Sequence, residues 1–249
     1  MPADSPIGAV LAFLGAGVVP TYIGLLLILF LRRRSEAFGR FVASIASGIA
    51  FALFFDLVGN ASGLGLSLKG SSTQVLLVIS FVAGLLLLFA LDAKIGTSNS
   101  PIPMSISYVI ALGTAFHSIA EGIVVGYDIR TTGLSEEIST IVQGISFALH
   151  KAGEGFVIGS LFIKRINWKN ILGAGTLASL PGVLGAVLGA YGIPGVLSSF
   201  LFAMGAGASI YIIAKIIPAA VSSKSNIIMA IGIAIGYLFI YGAGIIHNL

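Results

Sequence analysis

Long apolar runs, separated by short polar stretches, are the feature of this sequence that most restricts its fold. The runs fall at about 7–31, 38–58, 74–92, 104–127, 137–163, 171–190, 194–217 and 226–246. A helix that crosses a bilayer needs about 20 mostly apolar residues, and each run is close to that length. Because 57% of the 249 residues are hydrophobic and only 9% are charged, little of the chain remains for a soluble domain. We therefore predict one all-α domain over residues 1–249, a polytopic membrane protein with eight transmembrane helices.

The basic residues of the loops predict how these helices are oriented. With eight spans, alternate loops face opposite sides, and one side receives Arg32, Arg33, Arg34, Arg40, Lys94, Lys164, Arg165, Lys169 and Lys224. The other side receives only Lys69 and Arg130. Cytoplasmic loops carry the excess of positive charge, so we expect both termini outside, helix four running outward and helix five running inward. Since these loops explain the net charge of +4, we expect no nucleic-acid partner.

The sequence contains no cysteine, which excludes disulfides and thiolate metal ligands. Any metal would be held by histidine, carboxylate or amide groups. The first ten residues, MPADSPIGAV, have no basic segment, so we expect the first apolar run to be retained and not removed as a signal peptide. We expect a multi-pass protein of the cell membrane, with the lipid bilayer as its surroundings.

Two similar segments place ionisable residues inside the fourth and fifth apolar runs. AFHSIAEGIVVG and ALHKAGEGFVIG, offset by 33 residues, agree at six of twelve positions. Each contains H-x-x-x-E-G, so His117 and Glu121, like His150 and Glu154, lie one turn apart on one helix face. All four lie near the middle of their runs, where a charged side chain costs about 2.5–3.5 kcal/mol. Facing one another around a cation, these residues avoid much of that cost.

This set of side chains is typical of a site for a divalent cation. Imidazole and carboxylate are ordinary zinc ligands and also accept iron, manganese or cobalt. Two antiparallel helices that each supply two such groups can close a four-ligand cage near the bilayer midplane. Further polar residues extend toward the outer side, which we interpret as a pathway: Ser118 and Asp128 on helix four, Gln143 and Ser146 on helix five, and Asp56 near the outer end of helix two.

At these residues the chain resembles the ZIP family of divalent metal transporters, particularly its short prokaryotic members. The family's fourth helix carries H-N-x-P-E-G, matched here by HSIAEG, and its fifth carries His or Gln, a polar residue and x-P-E-G, matched by HKAGEG. The resemblance implies a ZIP-like bundle in which His117, Glu121 and Glu154 are ligands of the main transport site. His150 falls where the family often has a further ligand.

Several departures from the family pattern concern a second metal that relatives commonly hold beside the first. Ser118 replaces the usual asparagine, Lys151 replaces an amide or carboxylate, and helix six, with LASLPGVLGAVLG, has no acid. A charged lysine has three donors and no lone pair, so it cannot bind a metal. We therefore expect a single metal site, with Lys151 as a tethered cation in place of the second metal. The prolines of both motifs are also missing, with Ala120 and Gly153 in their places.

Together these observations predict a transporter, not an enzyme, that moves a divalent transition metal into the cytoplasm. Zinc is the expected substrate, with Fe²⁺, Mn²⁺, Cd²⁺ and Co²⁺ as alternatives, and a homodimer is left open. An intramembrane zinc hydrolase would need an open coordination position and a general base, and the sequence has no H-E-x-x-H. That hydrolase and a metal-binding membrane protein without transport are the rival functions.

Simpler interpretations of single residues also stay open. Histidine and glutamate can join helices by hydrogen bonds, and the hydroxyls can bond to their own helix backbone. Lys151 can be a salt bridge that packs helices, and Asp56 an interfacial residue.

Overall fold

Helices make up almost all of the chain that the structure describes. This computed structural model describes residues 6–66, 70–95, 104–132, 138–161, 163, 166–193, 195–221 and 226–247. The helices are α1 (Pro6–Leu31), α2 (Glu36–Leu66), α3 (Ser71–Ile95), α4 (Met104–Thr132), α5 (Ile138–Ser160), α6 (Trp168–Ala190), α7 (Gly195–Ala220) and α8 (Asn226–His247). No strand occurs within these ranges, so the predicted all-α class is confirmed. Within α1, the segment Leu14–Val18 is a π-helical turn.

Two helices continue well past the apolar runs that predict them. α2 extends to Leu66 and α4 to Thr132. In these extensions, polar side chains bond to carbonyl groups one turn earlier: Asn60 donates to Asp56 O at 3.0 Å, and Thr132 donates to Asp128 O at 2.7 Å. The apolar run therefore predicts only the hydrophobic part of each helix, and the helix itself continues among polar residues.

Within the described ranges, seven helices are long and apolar enough to cross a membrane: Pro6–Leu31, Glu36–Leu64, Ser72–Ile95, Ser105–Thr132, Trp168–Ala190, Val196–Ala220 and Asn226–Ile245. This set makes the chain a multi-pass membrane protein. α5 falls outside it because Gln143, His150, Lys151 and Glu154 lower its mean hydropathy. The predicted orientation stays a prediction, and Lys69, Lys164, Arg165 and Lys224, on which it partly rests, lie outside the described residues.

The helices pack in two groups. In one, α4 packs on α6 and α1 packs on α5; in the other, α7 contacts α2 and α3, and α8 contacts α2. The groups meet where α4 touches α7 and where α5 touches α2 and α8. α4 and α5 make few direct contacts, so each motif helix is held by a different partner.

Glycine allows these partners to approach backbone to backbone. On α4, a Cβ at Gly122 would collide with Gly182 O of α6, and one at Gly126 would collide with Ala186 O. α5 is held against α1 in the same way, since a Cβ at Gly155 would collide with Thr21 O. Such small-residue contacts are the usual mode of close helix packing in membranes. They fix the positions of both motif helices.

The largest buried apolar cluster occupies one half of the bundle. It joins the C-terminal halves of α1, α5 and α7 to the N-terminal halves of α2, α4 and α6, through residues such as Leu25, Ile110, Val157, Ala174 and Tyr211. This is the half that the sequence predicts to face the cytoplasm. The two motifs lie at its boundary, between this cluster and smaller apolar clusters of the other half.

We expect Gly126→Ala to destabilise the protein by about 1–3 kcal/mol, because the added methyl forces α4 away from the α6 backbone. Gly144→Ala is the matched control, since a Cβ there meets nothing within 4 Å. The control should be neutral or slightly stabilising, because alanine favours a helix by up to about 1 kcal/mol over glycine. Thermal unfolding in detergent measures both changes, and equal melting temperatures for the two variants would contradict the packing argument.

Candidate metal centre

The structure brings together the histidine and glutamate side chains of the two motifs, in a group that we call the cluster: His117, Glu121, His150 and Glu154. His117 Nε2 lies 3.1 Å from Glu154 Oε1. His150 Nε2 lies 3.3 Å from the same oxygen and 3.5 Å from Glu121 Oε1. The two helices that the sequence predicts to share a site therefore do meet at these residues.

Three members form the tightest part of the cluster. One ligand atom from each of His117, Glu121 and Glu154 lies within 4.8 Å of the others, and all three residues are buried. Within the described ranges, no other three His, Cys, Asp or Glu residues are grouped in this way. His150 lies at the edge, with 13% of its side chain exposed, against 4% for His117 and 1% for Glu154. The tight group could hold a metal ion, and His150 is placed to add a fourth ligand.

Several ligand atoms of the cluster are buried without a hydrogen bond. His117 Nδ1 and Nε2, His150 Nε2 and Glu154 Oε1 have no hydrogen-bond partner among the described residues. His117 Nε2 and Glu154 Oε1 are close, but their geometry is not that of a hydrogen bond. Buried polar atoms are normally paired, and leaving one unpaired costs about 1–3 kcal/mol. A single cation could accept lone pairs from His117 Nε2, His150 Nε2 and Glu154 Oε1 together. Nδ1 of the same His117 ring points elsewhere and cannot bind that ion.

Lys151 binds the Oε2 oxygens of Glu121 and Glu154, whose Oε1 oxygens face the imidazoles. Its ammonium donates to Glu121 Oε2 at 2.8 Å, to Glu154 Oε2 at 2.5 Å and to Ser118 Oγ at 3.1 Å. An ammonium has three donors, so all of them are used, and the side chain is fully buried. The two glutamates therefore divide their oxygens, with Oε2 on the lysine and Oε1 beside the imidazoles.

Asp56 links the cluster to the surface of the bundle. Its Oδ2 lies 3.8 Å from His150 Nδ1, and 47% of its side chain is exposed. The Asn60 amide donates to the same Oδ2 at 3.1 Å and holds the carboxylate in place. Of the residues that the sequence places on a pathway, Asp56 is therefore the one that is exposed and also lies beside a cluster residue.

The other pathway residues are placed differently. Ser146 is buried, and its hydroxyl donates to Ala243 O of α8 at 2.6 Å, so it joins two helices. Gln143 and Asp128 are exposed, each seven positions from a cluster residue, or about 10 Å along its helix. Ser118 lies at the site, but as the third acceptor of the lysine.

Two residues near the cluster are not evident from the motifs. Asn60 follows Asp56 by four residues, a spacing that places both on one helix face and could have signalled the pair. Gly205 of α7 lies against His117, because a Cβ there would collide with the Cβ and ring of that histidine. Its place among many small residues of α7 gives no separate signal.

Comparison of the chain with protein-family models and with curated proteins finds no match.

We expect Lys151→Met to destabilise the metal-free protein by about 3–5 kcal/mol, because it leaves two buried carboxylates without a counter-ion. Lys215→Met is the matched control: Lys215 pairs with one carboxylate, Asp92, at 2.5 Å, and both side chains are partly exposed. Its loss should be smaller than that of Lys151→Met, because only one carboxylate loses its partner and both side chains are partly exposed. Unfolding in detergent with a chelator present measures both, and similar losses for the two variants would contradict a counter-ion role for Lys151.

Proposed function

We propose that this protein transports a divalent transition metal ion, with zinc as the expected substrate, by binding it at the cluster. The observation that carries the proposal is the convergence of His117 Nε2, His150 Nε2 and Glu154 Oε1, which are buried without a hydrogen-bond partner among the described residues. Glu121 offers a further carboxylate oxygen beside them. Imidazole and carboxylate together are typical ligands of Zn²⁺ and of neighbouring transition metals. The ion is the cargo in this proposal, not a resident cofactor.

Charge supports binding of one ion at a time. With both carboxylates ionised, Glu121 and Glu154 contribute two negative charges and Lys151 contributes one positive charge. One divalent ion changes the sum from −1 to +1, whereas a second would raise it to +3 in a buried site. Concentrated like charge of that size is strongly unfavourable where solvent is excluded. We therefore expect one metal ion per chain.

The surroundings of the cluster support access from one side. Asp56 is about half-exposed and lies beside His150, the most exposed residue of the cluster. On the other side lies the large apolar cluster, in which Ile110, Val157 and Tyr211 are buried. In the proposed cycle, metal arrives past Asp56, and release toward the opposite side requires the two helix groups to rearrange.

The sequence supports an inward direction of transport and a likeness to one transporter family. The excess of basic residues in one set of loops supports an orientation with both termini outside, so that Asp56 faces outward and transport runs inward. The likeness of HSIAEG and HKAGEG to ZIP motifs supports the same function, and we propose a ZIP-like transporter of the cell membrane.

Uptake of Zn²⁺ into proteoliposomes tests the proposal. We expect His117→Ala and Glu154→Ala to lower the initial rate at least about tenfold, because each removes one ligand of the ion. Glu36→Gln is the control, since Glu36 is exposed and pairs with Arg40 away from the cluster. Equal rates in all variants would end the transport-site assignment. Binding of Zn²⁺ without uptake by the wild type would instead favour a non-transporting protein.

Asp56→Asn tests the proposed route. We expect it to raise the KM for Zn²⁺ uptake by roughly 3–10-fold, because it removes a negative charge that concentrates cations at the entrance. The Kd for Zn²⁺ of the protein in detergent should change less, since the four ligand side chains are retained. Asp128→Asn in the same assay tests the pathway role predicted for that residue, and its distance of about 10 Å along α4 from Glu121 predicts a smaller effect. An unchanged KM for Asp56→Asn would exclude this route.

A further inference from the structure

The division of carboxylate oxygens restricts how the cluster can bind a metal. A carboxylate can bind through one oxygen or through both, and ions with six or more ligands commonly use both. In Glu121 and Glu154, Oε2 already accepts a hydrogen bond from Lys151. Each glutamate is therefore left with one oxygen, Oε1, for an ion.

The fold holds Lys151 in this role. Its three donors have three acceptors, and its side chain is fully buried, so no exposed rotamer competes with the site. Its neighbour Ala152 is fixed as well, because Gly24 of α1 lies against the Ala152 carbonyl so closely that a Cβ would collide. Lys151 thus touches both glutamates without offering a ligand atom of its own.

The ligand count follows from these contacts. One oxygen from each glutamate, with Nε2 of His117 and of His150, gives four single-atom ligands. Zn²⁺ and Co²⁺ accept four nitrogen and oxygen ligands in a tetrahedron, whereas Mn²⁺, Mg²⁺ and Ca²⁺ favour six or more oxygen-rich ligands.

We propose that Lys151 is a specificity-determining residue, which keeps both glutamates monodentate and thereby selects four-coordinate ions such as Zn²⁺ and Co²⁺ over six-coordinate ions such as Mn²⁺. This inference rests on the proposed metal site and names the class of ion that the site takes. Imidazole nitrogens alone already favour Zn²⁺ over Mn²⁺. The contribution of Lys151 to the selectivity is therefore the change in selectivity between the wild type and a Lys151 variant.

Cobalt binding to the full chain in detergent is the first measurement, because the visible spectrum of Co²⁺ reports its coordination number. We expect wild type to give the intense bands of tetrahedral Co²⁺. Lys151→Met, purified with Zn²⁺ present and then exchanged, frees both Oε2 atoms, so its Co²⁺ spectrum should weaken toward that of a higher coordination number. Lys215→Met, which changes a lysine paired outside the cluster, should keep the wild-type spectrum.

Competition between Zn²⁺ and Mn²⁺ is the second measurement. The Kd for Mn²⁺ divided by the Kd for Zn²⁺ should fall at least about tenfold in Lys151→Met, because Mn²⁺ gains most from bidentate carboxylates. It should stay unchanged in Lys215→Met. Lys151→Gln, which keeps a polar side chain beside the glutamates, is the second variant and should shift the ratio in the same direction.

The outcomes separate this inference from the transport proposal. A six-coordinate Co²⁺ spectrum in wild type overturns the inference even if the variants do not fold. An unchanged ratio of the Mn²⁺ Kd to the Zn²⁺ Kd in folded variants also overturns it. A tetrahedral wild-type spectrum without zinc uptake in proteoliposomes refutes transport and supports the selectivity. A wild type that binds neither Co²⁺ nor Zn²⁺ refutes both.

Discussion

The contact of one lysine ammonium with two glutamates inside an apolar bundle is the interaction on which the site depends. Glu121 and Glu154 are both buried, and two such carboxylates cannot remain ionised side by side without compensation. Lys151 supplies one positive charge, and Ser118 takes its remaining donor. The charged groups are thus held in a fixed arrangement, which leaves one side of the cluster, with its imidazoles, for an ion.

Backbone contacts explain why this arrangement is held in place although α4 and α5 hardly touch. α4 lies against α6 through Gly122 and Gly126, and α5 lies against α1 through Gly155. Glycine removes the side chains that would separate the helices, so each motif is positioned by a neighbour that carries no ligand. The cluster then forms in the space between two firmly packed pairs.

The H-x-x-x-E spacing is sufficient to place His117 with Glu121, and His150 with Glu154, on common helix faces, and their depth in the apolar runs indicates that the faces meet. The repeated spacing cannot show which oxygen of a carboxylate meets which partner, since that depends on the rotamers of residues from two helices. The role of Ser146 also depends on a neighbour, because its acceptor, Ala243, lies 97 residues away. Polar residues at helical spacing predict a common face, but not whether a hydroxyl lines a route or joins two helices.

The charge of Lys151 determines how the site responds to a membrane potential. The two glutamate carboxylates and the Lys151 ammonium together carry one net negative charge, and a bound divalent ion changes their sum to one net positive charge. The net charges of the empty and loaded site are equal in size and opposite in sign. A potential that is negative inside would therefore favour inward access of the loaded site and outward access of the empty site. The energy is at most about 2.3 kcal/mol per 100 mV in each direction, in proportion to the part of the membrane field that the charges move through. In the proposed transporter, the charge that Lys151 contributes would allow the membrane potential to assist both halves of the cycle.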